Sequence, residues 1–258
     1  MGNMTWDPQL YARFDTDRSR PFFDLTARIR ADAPDTVVDL GCGTGALTAM
    51  LARRWPGAAV TGIDSSPDMV AAAPGDGSER LDIRHGDLRD FQPEGVDVVV
   101  SNAALQWIPE HRGLLRRWAA GLPSGAWLAW QVPGNFDAPS HALMRQLADS
   151  PRWSGRLGGV LRGGESVDDP AGYARLLVDA DCTADVWETT YVHLLNGENP
   201  VLQWVRATGL RPVLDALDAD AAADFEAEYA ALLRDAYPAG PHGTLFPFRR
   251  VFCVGRKR

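Results

Sequence analysis

Short apolar runs alternate with polar, glycine-containing stretches through the first half of the chain. Residues 36–132 hold five such runs: Val37-Val38-Asp39-Leu40, Ala58 to Asp64, Leu81 to His85, Val96 to Val100 and Ala126 to Val132. Each is the length of a strand and is bounded by turn residues, which predicts five β-strands. The valines of Val96-Asp97-Val98-Val99-Val100 point to a central parallel strand buried on both faces. Helical spacing intervenes, first in Ala46 to Ala52, and alternating strands and helices predict parallel βαβ units.

Before these runs, Pro21 is expected to start a helix whose apolar positions are Phe22, Leu25 and Ile29. Beyond them, residues 135–180 read as mainly helical or irregular. Asp185 to His193 reads as a sixth strand, 199–236 as helical and Arg249 to Val254 as a final strand. The acids between Asp218 and Glu228 read as a solvated surface. The pattern has no internal repeat. It predicts one α/β domain over 1–258: an N-terminal helical segment 1–30, a ligand-binding core 31–134, and helical segments 135–182 and 194–243 serving together as a lid.

The first strand-like run ends in Asp39-Leu40-Gly41-Cys42-Gly43-Thr44-Gly45. Three alternating glycines between a strand and a helix allow a ligand to touch bare backbone. Gly41 to Ala46 also satisfies the G-x-G-x-x-G/A pattern of dinucleotide sites, so the glycines alone do not choose the ligand. Asp39 does more. It lies two residues before Gly41, where a pyrophosphate would meet an uncompensated like charge. S-adenosylmethionine has an ammonium, a sulfonium and no phosphate, and an acid on this loop favours it.

Two further acids end the next two strand-like runs. Asp64 suits either ligand, since a carboxylate there can accept hydrogen bonds from both ribose hydroxyls. Asp87, in Gly86-Asp87-Leu88, can take an adenine amino group while Leu88 covers the ring. Taken singly each acid is an ordinary cap or turn residue. Together they mark the carboxyl edge of the sheet, where open α/β sheets bind ligands. Asn102 and the small Ala103-Ala104 pair follow the fourth run and are expected beside the reactive sulfur.

Asp39 to Gly45, Asp64 and Gly86-Asp87-Leu88 resemble the class I methyltransferase pattern. Almost the whole chain is similar to the trans-aconitate 2-methyltransferase family. Trp6-Asp7-Pro8-Gln9-Leu10-Tyr11, Phe14, Arg18 to Pro21, Thr61 to Pro67 and Asn102 to Trp107 carry that similarity in the first half. Val132-Pro133-Gly134-Asn135, Trp187 to His193, Trp204-Val205 and Ala207 to Pro212 carry it in the second. The resemblance implies a Rossmann-like, seven-stranded, mostly parallel sheet whose last strand runs antiparallel. It implies S-adenosylmethionine as cofactor and transfer of a methyl group to one carboxylate of trans-aconitate or a close relative. It places Asp39, Gly41, Cys42, Gly43, Asp64, Ser65, Asp87, Leu88, Asn102 and Tyr11 against the cofactor. Arg18, His193 and Arg211, with Gln131 and Asn135 as polar supports, are implied at the acceptor. Gly155, Gly158, Gly159, Gly163 and Gly164 depart from the pattern, which predicts a repositioned cover over the site.

A carboxylate acceptor is already ionised at neutral pH and needs no general base. Catalysis by proximity and orientation is therefore expected, with no catalytic side chain. Were the acceptor instead a hydroxyl or amine, His193 would be the first candidate base. A nicotinamide-dependent oxidoreductase and a silent S-adenosylmethionine sensor also stay open at this stage.

Composition narrows the partners. The formal net charge of −8 disfavours nucleic acid and requires a local cationic pocket for a polyanionic substrate. Arg249 and Arg250 are adjacent in a strand, so at most one can face that pocket. No apolar run approaches the ~20 residues of a membrane span. Met1 to Trp6 shows neither a signal-peptide core nor a myristoylation pattern. Cys42, Cys182 and Cys253 are too few and too widely spaced for a disulfide framework or a zinc site. A cytoplasmic protein with no membrane, metal or obligate protein partner is expected.

Overall fold

The apolar runs between residues 36 and 133 all form strands in the computed structural model, which describes residues 15–73, 80–161, 163 and 167–258. They are β1 (Thr36–Leu40), β2 (Ala59–Asp64), β3 (Leu81–His85), β4 (Val98–Asn102) and β5 (Trp127–Pro133). All four pairings among them are parallel. β6 (Asp185–Leu195), β7 (Ala239–Gly240) and β8 (Gly243–Arg256) complete the sheet. The order is β3-β2-β1-β4-β5-β8-β6, with β7 paired to β8. β8 runs antiparallel to β5, as expected of the last strand.

The chain leaves β1 toward β2 and β3 and then returns to place β4 on the other side of β1. That reversal opens a crevice outside the carboxyl ends of β1 and β4. Burial follows the valines: Val98, Val99 and Val100 are fully buried, as a central strand covered on both faces requires.

Several elements differ from the sequence reading. Helix α1 spans Asp15–Thr26, so Pro21 lies inside it and does not start it. Phe22, Leu25 and Ile29 are nevertheless buried, because the apolar stripe, not the proline, sets the packed face. β8 begins at Gly243, six residues before the expected Arg249. Thr244, Phe246, Phe248 and Arg250 are buried at alternate positions, a strand pattern that Pro247 obscures. β7 is an additional two-residue strand.

The other helices are α2 (Thr48–Arg54), α3 (Pro67–Ala71), α4 (His111–Gly121), α5 (Pro139–Ala148), α6 (Ser154–Leu157), α7 (Pro170–Asp179), α8 (Pro200–Arg206), α9 (Arg211–Ala216) and α10 (Ala219–Ala236). Ser66 caps α3 by accepting the Met69 N–H, with Pro67 at the first helical position. Asp169 and Asp218 cap α7 and α10 in the same way.

The chain divides into two compact units. The sheet unit comprises Asp15–Pro133, Val167–Thr189 and Arg250–Arg258. Its core centres on Trp118, Trp130, Tyr173 and Leu115, so α7 belongs to this unit although it falls within 135–182. The helical unit holds the described residues of Gly134–Ser166 together with Thr190–Arg249. Trp153, Trp204, Phe225, Tyr229 and Phe246 form its core. Acids expected to be merely solvated on α10 pair there with arginines of the same unit: Asp218 with Arg156, Asp224 and Glu228 with Arg152, and Glu226 with Arg206. Such exposed pairs are worth little individually. Among the described residues no helix is long and apolar enough to cross a membrane.

Candidate active site

The glycine loop leaves β1 after the buried Leu40 and is clipped to β2. The N–H groups of Gly41 and Cys42 both donate to the Ile63 carbonyl, at 2.8 and 3.2 Å. Gly41 has φ +78°, and a Cβ there would lie 2.2 Å from the Cβ of Ala104. Only glycine lets the loop lie this close to the segment after β4. The helix expected directly after the glycines starts later: residues 44–47 form turns and α2 begins at Thr48, with no side-chain cap at Leu47. The positive end of a helix is thus set back from the first glycines, which is unlike a pyrophosphate cradle.

Asp39 lies beneath this loop, 2% exposed. Its Oδ2 accepts a 2.7 Å hydrogen bond from Thr48 Oγ1. Its Oδ1 is buried with no hydrogen-bond partner among the described residues. Burial pushes the Asp39 carboxyl up to about 6; the Thr48 bond partly offsets this and repulsion from Asp64 adds to it. Asp64 accepts from Gly43 N–H at 2.8 Å and from Ser66 N–H at 2.9 Å, joining the glycine loop to the turn after β2. Ser65, within that turn, is exposed, and its carbonyl lies 3.2 Å from His85 Nε2.

Asp87 caps the 3₁₀ turn Leu88–Asp90 through the Arg89 N–H. The Arg89 guanidinium grips both of its oxygens, at 2.5 to 3.0 Å. This ion pair holds the Asp87 carboxyl below its usual range. An adenine amino group would share Asp87 with Arg89. Leu88 is buried beside it. The sheet register brings the three acids to one rim: Asp39 pairs with Gly62, and Asp64 pairs with His85, two residues before Asp87.

Across the reversal point, Asp39 is level with Val100. Two residues on, Gly41 comes level with Asn102, the last residue of β4. Asn102 Oδ1 accepts from Gln131 Nε2 at 2.7 Å, and Gln131 Oε1 accepts from Arg250 Nη1 at 3.2 Å. Gln131 is wholly buried and Arg250 is 6% exposed. Ala103, at φ +56°, is held in a left-handed turn that glycine would normally take. Its N–H bonds to the Gln131 carbonyl and its own carbonyl accepts from Gln106. The Cys42 thiol is pushed far up by burial and by Asp39 and Asp64, so it stays protonated and is not a nucleophile.

The helical unit carries the other expected acceptor residues. Asn135 accepts from the Arg249 N–H at 2.7 Å and donates to the Arg249 carbonyl at 2.8 Å, so its amide is committed to the backbone of β8. Arg249 Nη1 reaches the Gly134 carbonyl. His193 is buried among Tyr191, Trp204 and Phe248, with the Trp204 ring centroid at 4.5 Å. Arg211 starts α9 and lies 3.9 Å from Asp215. Tyr11, Phe14 and the side chain of Arg18 lie outside the described residues, as does much of the glycine-rich stretch after Gly159. Among the described residues no group of acids, histidines or cysteines is placed to hold a metal ion.

Residues 37–125 match the family model of a methyltransferase domain. A trans-aconitate 2-methyltransferase of Rhodococcus jostii is 57% identical over 97% of this chain and 99% of its own length. One from Streptomyces coelicolor is also 57% identical, over 98% of this chain and 87% of its own. The chain belongs to the trans-aconitate 2-methyltransferase family.

The fold recurs in a geranyl diphosphate C-methyltransferase of Streptomyces coelicolor solved with S-adenosylhomocysteine. It has a TM-score of 0.53 at 16% identity, covering 98% of this chain and 86% of that one. For this family member, two site-forming residues went unnamed in the sequence reading: Thr48 under Asp39 and Arg89 on Asp87; of the adjacent Arg249 and Arg250, of which at most one was expected to face the pocket, Arg250 bonds to Gln131. Arg250 had a legible signal, the alternation of Thr244, Phe246, Phe248 and Arg250. Thr48 and Arg89 had none, because their partners are fixed by loop conformation.

Proposed function

We propose that this protein transfers a methyl group from S-adenosylmethionine to one carboxylate of trans-aconitate, giving a monomethyl ester. The observation that carries the cofactor assignment is the buried Asp39, whose Oδ1 has no hydrogen-bond partner among the described residues, below a loop tied to Asp64. Negative charge under bare backbone repels phosphate and favours a cationic ligand. These residues fit S-adenosylmethionine. Asp39, Gly41, Cys42 and Gly43 would hold its amino-acid end. Asp64 and Ser65 would hold the ribose, Asp87 and Leu88 the adenine, and Asn102 the region of the sulfur, with Tyr11 completing the set. When bound, the cofactor supplies an electrophilic methyl carbon on a sulfonium.

The remaining work falls to binding and orientation. An ionised carboxylate is its own nucleophile, so this chain needs to align it, neutralise the other carboxylates and exclude water. Arginine suits carboxylates through its two-pronged fork. Arg18, Arg211 and His193 are assigned this role, with Gln131 and Asn135 in support. A reducing, cytoplasmic setting suits the three free thiols.

The test is incubation with labelled methyl donor and a panel of di- and tricarboxylic acids, followed by mass spectrometry. A monomethyl ester of trans-aconitate is expected. S-adenosylhomocysteine binding without ester from any acid would leave only the cofactor assignment standing. Tight nicotinamide-dinucleotide binding in its place would overturn both.

A further inference from the structure

We infer that His141, through the Nε2 edge of its ring beside Gly209, hydrogen-bonds a carboxylate of the acceptor acid and so helps to select it. The inference rests on the proposed methylation of a small polycarboxylic acid and names a residue that meets that acid.

The first support is how firmly the ring is held. His141 is the third residue of α5 and follows Ser140, which is fully buried. Every polar group of Ser140 is engaged within the helical unit. Its N–H donates to the Tyr237 hydroxyl at 3.1 Å, its carbonyl accepts from the Tyr229 hydroxyl at 2.6 Å, and its Oγ lies 3.1 Å from His141 Nδ1. The proton of a buried hydroxyl needs an acceptor, and Nδ1 supplies it. This network assigns the ring proton to Nε2. Burial pushes His141 down to about 4, and Arg145, one turn on and facing Asp137, adds to the effect. The imidazole is therefore uncharged near neutral pH, with Nδ1 accepting from Ser140 and Nε2–H left to donate.

The second support is what lies in front of that donor. Nε2 has no hydrogen bond among the described residues, and the half-buried ring keeps part of its edge open. Beside it runs the turn Ala207 to Arg211. Thr208 and Leu210 both donate to the Val205 carbonyl there, at 2.9 and 3.0 Å, and Arg211 donates to the Thr208 carbonyl. Gly209 is not among the glycines with positive φ, so its backbone conformation does not demand glycine. Space does. A Cβ on Gly209 would stand 3.1 Å from Nε2 and 3.5 Å from Cδ2, with Met144 Cε next at 3.9 Å. The missing side chain thus keeps room beside the donor. Arg211 begins α9 two residues later, so the same turn carries a cation. A neutral N–H donor and a guanidinium together suit a carboxylate.

The experiment measures KM and kcat with trans-aconitate, S-adenosylhomocysteine affinity and melting temperature for wild type, His141→Asn, His141→Gln and Gly209→Ala. In His141→Asn the amide oxygen takes the place of Nδ1 and keeps the Ser140 bond, while Nε2 is gone. KM should rise about 10- to 100-fold, the range of one hydrogen bond to a charged group, with kcat within about threefold. In His141→Gln the amide nitrogen reaches the place of Nε2, and KM should return to within about fivefold of wild type. Gly209→Ala should raise KM about 10-fold by filling the space, yet its melting temperature should hold or rise, since alanine narrows the unfolded ensemble. S-adenosylhomocysteine affinity should stay within about twofold throughout. An unmoved KM in His141→Asn or in Gly209→Ala, a Gln variant no better than the Asn one, or a parallel fall in S-adenosylhomocysteine binding would overturn the assignment. Should His141→Asn fail to fold, Gly209→Ala decides by the same comparison. Trans-aconitate titrated by calorimetry into the S-adenosylhomocysteine complex separates the two claims. Binding by wild type without turnover would sink the methylation reading, while loss of that binding in His141→Asn would still uphold His141. Absence of binding by wild type would overturn both.

Discussion

Thr48 Oγ1 donates a 2.7 Å hydrogen bond to Oδ2 of Asp39, tying the first turn of α2 to the carboxylate under the glycine loop. The bond spans nine residues and is buried. It holds a charge-bearing side chain where solvent cannot. Replacing Thr48 by Val removes the donor and keeps the shape. A buried acceptor left without its donor costs about 1–3 kcal/mol. The expected result is a melting temperature lower by several degrees, measured near neutral pH. An unchanged melting curve would show that the bond contributes nothing net.

The pH dependence follows from the same carboxyl. Asp39 is raised from 3.8 to about 6 in the folded protein. Between those values the folded state holds a proton that the unfolded state has lost. Its contribution to stability therefore falls as pH rises through this window and levels off above it. A cationic ligand at the loop reverses the preference by favouring the charged form. S-adenosylmethionine binding should weaken below about pH 6 and release a proton there, visible as buffer-dependent binding heat. Asp39→Asn should melt higher than wild type yet bind the cofactor more weakly, with the pH dependence gone. Retention of that dependence in the variant would assign it to another group.

Gly41 and Gly43 separate steric need from backbone strain. Both have positive φ, but a Cβ at Gly41 would fall 2.2 Å from Ala104 Cβ, whereas one at Gly43 meets nothing within 4 Å. Gly43→Ala should cost only the left-handed penalty of about 1–2 kcal/mol. Gly41→Ala must displace the loop from β4 and should lower S-adenosylhomocysteine affinity at least about 100-fold in a folded protein, since close approach is lost. Equal effects of the two substitutions would mean that strain alone controls the loop.

The five strands β1–β5, their parallel arrangement and the rim of Asp39, Asp64 and Asp87 were legible in the sequence, whereas the antiparallel last strand came only with the family resemblance. Strand length, valine content and glycine spacing are local properties. Side-chain commitments were not legible. Asp87 reads as a free acid until the 3₁₀ turn folds Arg89 back onto it. Asn135 reads as a pocket amide until β8 places the Arg249 backbone against it. The start of α2 was misplaced because the Ala46-Leu47 pair has helical composition, while the clip from Gly41 and Cys42 to Ile63 winds the chain into turns first. In each case a contact distant in sequence overrides a local preference.

Asn135 gives the sharpest test of a structural against a substrate-binding role. It is 3% exposed, and both ends of its amide engage Arg249, accepting from the N–H and donating to the carbonyl. The Arg249 carbonyl also receives the Gly134 N–H, so it keeps a partner when Asn135 is truncated; the Arg249 N–H loses the acceptor seen here. Asn135→Ala should therefore cost about 1–3 kcal/mol, mostly from that N–H. For a chain of this size the melting temperature should drop by about 3–10 °C. Asn135→Asp keeps the acceptor and should recover most of the loss at neutral pH, although its second oxygen then faces the Arg249 carbonyl. A residue that only touched substrate would behave differently, with KM rising and the melting temperature unmoved. An unmoved melting temperature in Asn135→Ala would show that its pairing with the Arg249 backbone contributes nothing net.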